Sequence, residues 1–278
     1  MAFFRKTSGG ILCPSCGRLT NADAAVCLIC GRRNPGMWGF ADPLRRVFGR
    51  GSVTTAVVIA CVALYVASLA WDPPAALRMR GPFDLLAPSD RALDALGMTG
   101  AWAWLRGRWW TLLTAVYLHG SLLHLLFNVL WIRQLGPAVE QLYGPARLVV
   151  IFTSAGALGF AASTLFGVSA TVGASGAIFG LLGALVVFGR RRGGVFGGLV
   201  LRQYGQWALV LFILGFVMPR VDNLAHAGGF AGGYLAGLLL AFQERRAERG
   251  LDQLLAGGAV AATLGAFGLA LWTAFAGG

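Results

Sequence analysis

The 278-residue chain contains one lysine, three histidines and 11 acidic residues, and only 12% of its residues are charged, about half the share of a soluble domain. A surface so poor in charge would not stay dissolved, which excludes an ordinary cytosolic enzyme. The shortage of acids leaves a net charge of +12, so a nucleic-acid-binding protein has to be weighed against a membrane topology. What is abundant is apolar: 57% hydrophobic residues and 41 glycines. The solvent of this chain is lipid.

Uncharged stretches run over 51–71, 109–132, 148–189, 203–219, 223–243 and 253–278, and a spanning helix needs roughly 20 apolar residues. Five stretches fit one helix each, while 148–189 fits two, with a break at the Gly, Ser and Thr cluster from Gly167 to Gly173. Seven spans are expected. The polar and basic segment 1–50 precedes the first, which is too long for a signal-peptide core and is read as a span. With the N-terminus in the cytoplasm, the inner segments (1–52, the loop ends Arg133 and Arg147, 190–202 and 244–252) hold 17 basic residues and the outer ones six. This obeys the positive-inside rule, so no nucleic-acid partner is needed, and the C-terminus is expected outside. The first outer loop, Asp72 to Arg108, carries four prolines and four aspartates and leads into Trp102, Trp104, Trp109 and Trp110, so it is expected to form short interfacial helices. The excess of arginine over lysine suggests a GC-rich coding bias and a bacterial cytoplasmic membrane.

Before the first span, Cys13-Pro14-Ser15-Cys16-Gly17 and Cys27-Leu28-Ile29-Cys30-Gly31 form two knuckles able to bring four thiolates into a tetrahedron, with each glycine supplying a φ > 0 turn. Structural zinc on Cys13, Cys16, Cys27 and Cys30 is expected. Two disulfides are the rival, disfavoured in a reducing cytoplasm, and iron is a weaker fit to the same donors. The segment resembles the zinc-ribbon family with a short spacer; a folded cap and a recruiter of a cytoplasmic partner are both open readings. Cys61, inside the first span, reads as a small buried apolar residue.

All three histidines lie in or at the mouth of apolar spans, where a polar group is costly and points to function. His119 and His124 are five apart, about 140° around a helix, so they do not share a face as a zinc pair would. His124 and Asn128 are four apart and do, giving two hydrogen-bond donors suited to a developing negative charge. Gly173-Ala174-Ser175-Gly176 opens the fourth span, placing Ser175 in a helical first turn; a helix N-cap serine flanked by packing glycines fits the spacing equally. His226 opens the sixth. Ala225, Gly229 and Gly233 form a small-residue stripe that matches Gly176, Gly180 and Ala184, so these two helices can pack closely and bring Ser175 to His226. By helix rise, Ser175, His226 and His124 stand roughly 22, 27 and 18 Å above the inner boundary, in the outer half of a core about 30 Å thick.

These residues resemble the rhomboid family of intramembrane serine proteases. The resemblance covers about Val53 to Gln243 and rests on three motifs in order: His119-Gly-Ser-Leu-Leu-His124-Leu-Leu-Phe-Asn128, Gly173-Ala174-Ser175-Gly176 and Ala225-His226-Ala-Gly228-Gly229. It implies Ser175 as nucleophile and His226 as general base. His124, Asn128 and the Ser175 backbone N–H would form the oxyanion hole, Phe179 would lie against the histidine, and His119 would be a structural residue of the first loop. One departure is that Trp110 is followed by Thr111, with Arg108 just before, where the family often has Trp-Arg.

The expected fold is an all-α polytopic membrane protein: a zinc-ribbon module (1–36), a linker (37–52), a six-helix rhomboid bundle (53–243), and a cytoplasmic loop with a seventh transmembrane helix (244–278). The implied activity is hydrolysis near the outer end of transmembrane protein substrates, with no cofactor for catalysis. A silent rhomboid-like adaptor for membrane-protein quality control is the alternative. A proton-relaying transporter is a further one, and the absence of ionisable groups from the inner half of the spans counts against it.

Overall fold

The computed structural model describes residues 5–13, 18–41, 52–77, 81, 84–218 and 220–276. The chain divides into two compact units, residues 1–59 and 60–278. In the first, β1 (Gly10–Leu12) and β2 (Leu19–Asn21) pair antiparallel with Ile11 opposite Thr20. The hairpin buries Ile11 with Ala22 and Ala41. Among the described residues this core is three side chains with Met37 packed against them, less than apolar burial alone needs to hold a segment folded.

Among the described residues, seven helices have 17 to 27 residues: α1 (Val53–Trp71), α2 (Leu122–Tyr143), α3 (Pro145–Leu165), α4 (Ser175–Arg192), α5 (Gly194–Val217), α6 (Asn223–Leu239) and α7 (Gly250–Ala276). Five are long and apolar enough to cross a membrane by length and composition; α4 and α6 are not among them. The 18 residues of α4 end in Arg190, Arg191 and Arg192, and α6 has only 17 residues. Residues 176–189 of α4 are all buried, so its neighbours are other helices. The chain is a multi-pass membrane protein, all-helical in its second unit.

Two boundaries differ from the sequence expectation. The second helix starts at Leu122, capped by the Ser121 hydroxyl accepting from His124 N–H, and runs through Arg133, Pro137 and Glu140 to Tyr143. Residues 109–121 are instead loop, with short helices at Thr111–Thr114 and Ala115–Tyr117. His124 is thus the third residue of α2 and stands near the helix end. Likewise α5 begins at Gly194 and takes in Arg202. A charge ends an apolar run without ending a helix, whose backbone is satisfied wherever the next turn continues.

The long loop after α1 forms short helices at Pro73–Ala76, Asp90–Ala95 and Ala101–Leu105. Trp102 and Trp109 are more than half exposed, as an interfacial belt requires. The loop is pinned where the expected Trp-Arg is missing: Arg108 donates to the Asp94 carboxylate at 2.8 Å and to the Asp94 carbonyl at 2.7 Å, and Thr111 Oγ1 donates to Thr99 Oγ1 at 3.0 Å. Thr99 exchanges backbone hydrogen bonds with Thr171, joining this loop to the one that delivers Ser175.

Arg147, read from sequence as a loop-end topological charge, is fully buried at the start of α3. Its Nε and Nη2 bind both oxygens of Asp252 on α7 at 3.0 Å, and its remaining donors meet the carbonyls of Tyr143, Arg246 and Ala247. All five guanidinium hydrogens are used, the condition under which a buried ion pair is tolerated. At its other end α7 packs Phe267 against Leu93, Leu96 and Leu118, beneath the loop.

Candidate active site

α4 and α6 meet along their glycines. A Cβ on Gly229 would lie 2.0 Å from the Gly176 carbonyl oxygen, and one on Gly233 would lie 1.9 Å from that of Gly180. Only hydrogen fits at these crossings, and backbone contact brings the first turn of α4 beside that of α6. Ser175 is the first residue of α4; the cap is Ala174, which makes no side-chain cap hydrogen bond. The hydroxyl of Ser175 is therefore not the helix cap, and it sits beside the unpaired N–H groups of the helix start. Gly173 before it has φ +134° and donates its N–H to the Ala115 carbonyl at 2.9 Å.

Ser175 and His226 line one cavity of about 40 Å³ together with Asn128, Phe179, Trp131 and Gly215. The volume admits water. Among the described residues no hydrogen bond joins the Ser175 hydroxyl to His226; such contacts are often loose before substrate binds. His226 is 6% exposed and lies face to face with Phe179, ring centroids 4.2 Å apart at 18°. Its Nδ1 is 3.2 Å from the Asn223 Oδ1. An amide oxygen only accepts, so this contact is a hydrogen bond in the tautomer with the proton on Nδ1, which leaves Nε2 as the acceptor. Asn223 was not singled out from sequence, although it stands one helical turn before the histidine. Asp222 caps α6: Oδ1 accepts from Ala225 N–H at 2.9 Å, and Oδ2 accepts from the Ser163 hydroxyl.

His124 does not line this cavity, but it flanks the same backbone: a Cβ on Gly173 would lie 2.7 Å from His124 Nε2 and 3.9 Å from Ser175 Oγ. Gly120 N–H donates to His124 Nδ1 over a long 3.4 Å, which puts the ring proton on Nε2, toward Gly173. Asn128, 1% exposed, donates one amide hydrogen to the His124 carbonyl at 2.8 Å. Its Oδ1 is buried without a partner among the described residues. His119 lies in the loop before α2, so the helical angle expected for it does not apply, and its ring meets His124 edge-on at 5.1 Å.

In the N-terminal unit the sulfurs of Cys13, Cys27 and Cys30 lie within 4.8 Å of one another; Cys16 and Gly17 lie outside the described residues. Cys13 and Cys30 are 3.7 Å apart, far beyond a disulfide of about 2.0 Å and close to the roughly 3.8 Å edge of a tetrahedron with zinc–sulfur bonds of about 2.3 Å. Gly31 has φ +71°, the turn expected after the second knuckle. Hydrogen bonds from the Cys30 and Ile29 backbone pull the Cys27 thiol down to about 6, favouring the thiolate that a metal binds. These residues fit a metal.

Residues 106–243 match the model of the Rhomboid domain. The chain is 40% identical over 139 residues to Rhomboid protease GluP of Bacillus subtilis (strain 168), covering 49% of this chain and 27% of that protein. It is 37% identical over 160 residues to RHOMBOID-like protein 7 of Arabidopsis thaliana, covering 56% and 51%. It is 31% identical over 148 residues to YdcA, a rhomboid-named protein of the same bacterium, covering 50% of this chain and 71% of YdcA. The chain belongs to the rhomboid family. The matches span about a quarter of GluP and half of RHOMBOID-like protein 7, and the matched region of this rhomboid contains Ser175, His226, His124 and Asn128.

Proposed function

We propose that this rhomboid is an intramembrane serine endopeptidase that hydrolyses a peptide bond in or near the transmembrane segment of membrane-protein substrates. The reading is carried by one cavity lined by Ser175, His226 and Asn128, with the His226 ring stacked on Phe179. Ser175 Oγ attacks the carbonyl carbon while His226 Nε2 takes the hydroxyl proton. The tetrahedral oxyanion is held by the Ser175 backbone N–H at the start of α4, by His124 Nε2–H and by the Asn128 amide. Collapse expels the amine, which receives its proton from His226. A water entering the cavity then hydrolyses the acyl-enzyme by the same route. A regular helix shields its own peptide bonds, so substrates with Gly or Pro near the cut unfold locally at lower cost.

Residues 53–243 are the proposed catalytic domain, and 244–278 the proposed cytoplasmic loop and seventh transmembrane helix, α7. Residues 1–36 are the proposed zinc module, joined by the linker 37–52. Zinc on Cys13, Cys16, Cys27 and Cys30 would supplement the small core of Ile11, Ala22 and Ala41 and would take no part in hydrolysis. The charge bias supports a cytoplasmic N-terminus in a bacterial inner membrane.

The test is a gel assay with a panel of single-span proteins in proteoliposomes. Wild type is expected to cleave at least one, and Ser175→Ala and His226→Ala to cleave none. Cleavage retained by Ser175→Ala would overturn the reading; stable capture of single-span proteins by wild type without cleavage would favour the adaptor.

A further inference from the structure

Stacking against Phe179 fixes the plane of the His226 imidazole but not its edge, since a half-turn of the ring preserves the stack while exchanging Nδ1 with Cδ2 and moving Nε2 away from Ser175. Something has to choose the edge and the tautomer. We infer that Asn223 is the positioning residue of this site, its Oδ1 holding the His226 Nδ1–H so that Nε2 faces the nucleophile as a base; the inference rests on the hydrolytic reading above.

Asn223 Oδ1 is 3.2 Å from His226 Nδ1 and one turn away on the same face of α6. The neighbouring carboxylate is already committed elsewhere, because Asp222 is engaged by Ala225 N–H and the Ser163 hydroxyl. Asn223 is itself held in place. It follows the N-cap residue of α6, and its Oδ1 occupies space left by Gly215 on α5, where a Cβ would come within 2.1 Å of it. A neutral amide does here what a carboxylate does in a soluble triad, without burying a further charge in lipid.

The experiment compares Asn223→Leu, of similar size but without an acceptor, with Asn223→Asp, which keeps it, in full-length protein reconstituted with a cleavable single-span substrate. Asn223→Leu should lose about 10- to 100-fold in kcat with KM within twofold of wild type, because an unheld imidazole populates the wrong edge and tautomer. Asn223→Asp should recover most of that loss. Gly215→Ala displaces the amide without removing it and should lower kcat in the same way, which keeps the test decisive if Asn223→Leu does not fold. Wild-type kcat in folded Asn223→Leu, or Asn223→Asp as slow as Asn223→Leu, would overturn the inference while leaving the protease reading intact. Wild type inactive on every substrate and unreactive toward a fluorophosphonate would instead overturn the protease reading.

Discussion

Replacing Gly229 with alanine puts a Cβ 2.0 Å from the Gly176 carbonyl oxygen and 2.7 Å from its carbon. These are backbone atoms, so no rotamer relieves the contact, and α4 and α6 must separate by at least about 1 Å to reach ordinary carbon–oxygen contact. Ser175 precedes Gly176 and His226 lies one turn before Gly229, so the separation opens beside the proposed nucleophile and base. A misplacement of about 1 Å typically costs about 100-fold in rate. Stability should change far less. Overpacking costs about 1 to 3 kcal/mol, and alanine returns about 1 kcal/mol of helix propensity, leaving a net loss of roughly 0 to 2 kcal/mol. Initial rates in proteoliposomes, paired with thermal unfolding, separate the two effects. Gly198→Ala and Gly205→Ala on α5, where a new Cβ meets nothing within 4 Å, should leave the rate unchanged. A folded Gly229→Ala that cleaves within threefold of wild type would refute the claim that this crossing sets the site.

Three further outcomes are expected. Arg147→Ala should destabilise the protein by about 1 to 3 kcal/mol in unfolding measurements, since it leaves the buried carbonyls of Tyr143, Arg246 and Ala247 without their donors while Asp252 keeps Arg246 and the Arg249 N–H, and Arg147→Lys should not restore it because an ammonium cannot satisfy the same five acceptor contacts. His124→Ala should lower kcat by about 100- to 1,000-fold with the fold intact; wild-type kcat would remove it from the oxyanion hole. Chelation, or Cys13→Ser with Cys16→Ser, should release bound metal and unfold the N-terminal segment by hydrogen exchange while leaving cleavage of a minimal transmembrane substrate largely unchanged. Loss of that cleavage in a folded membrane domain would show that the two parts are coupled.

The helical class and the close α4–α6 crossing were legible in the sequence because both follow from local pattern: uncharged runs of span length, and glycines every fourth residue. The place of Phe179, one turn below Ser175 and 4.2 Å from the His226 ring, was implied by the family resemblance and not by local pattern. The ends of α2 and α5 were not legible, because Arg133, Glu140 and Arg202 continue helices that the apolar runs do not. Arg147 was counted from sequence only as an inner loop-end charge, and its burial was not legible because its partner lies 105 residues away on α7, a separation no periodicity reveals. The contact between His119 and His124 escaped helical geometry because His119 is not on the helix. Asn223 could have been found: an amide three residues before a histidine, at a helix start, is in reach of the ring.

The most direct measurement is active-site labelling of the full-length protein in bilayers with a fluorophosphonate, the modified residue located by peptide mass analysis. The expected result is an adduct on Ser175, lost in Ser175→Ala and strongly slowed in His226→Ala. Labelling that persists undiminished in Ser175→Ala, or that falls on another residue, would contradict the assignment of Ser175 as the nucleophile.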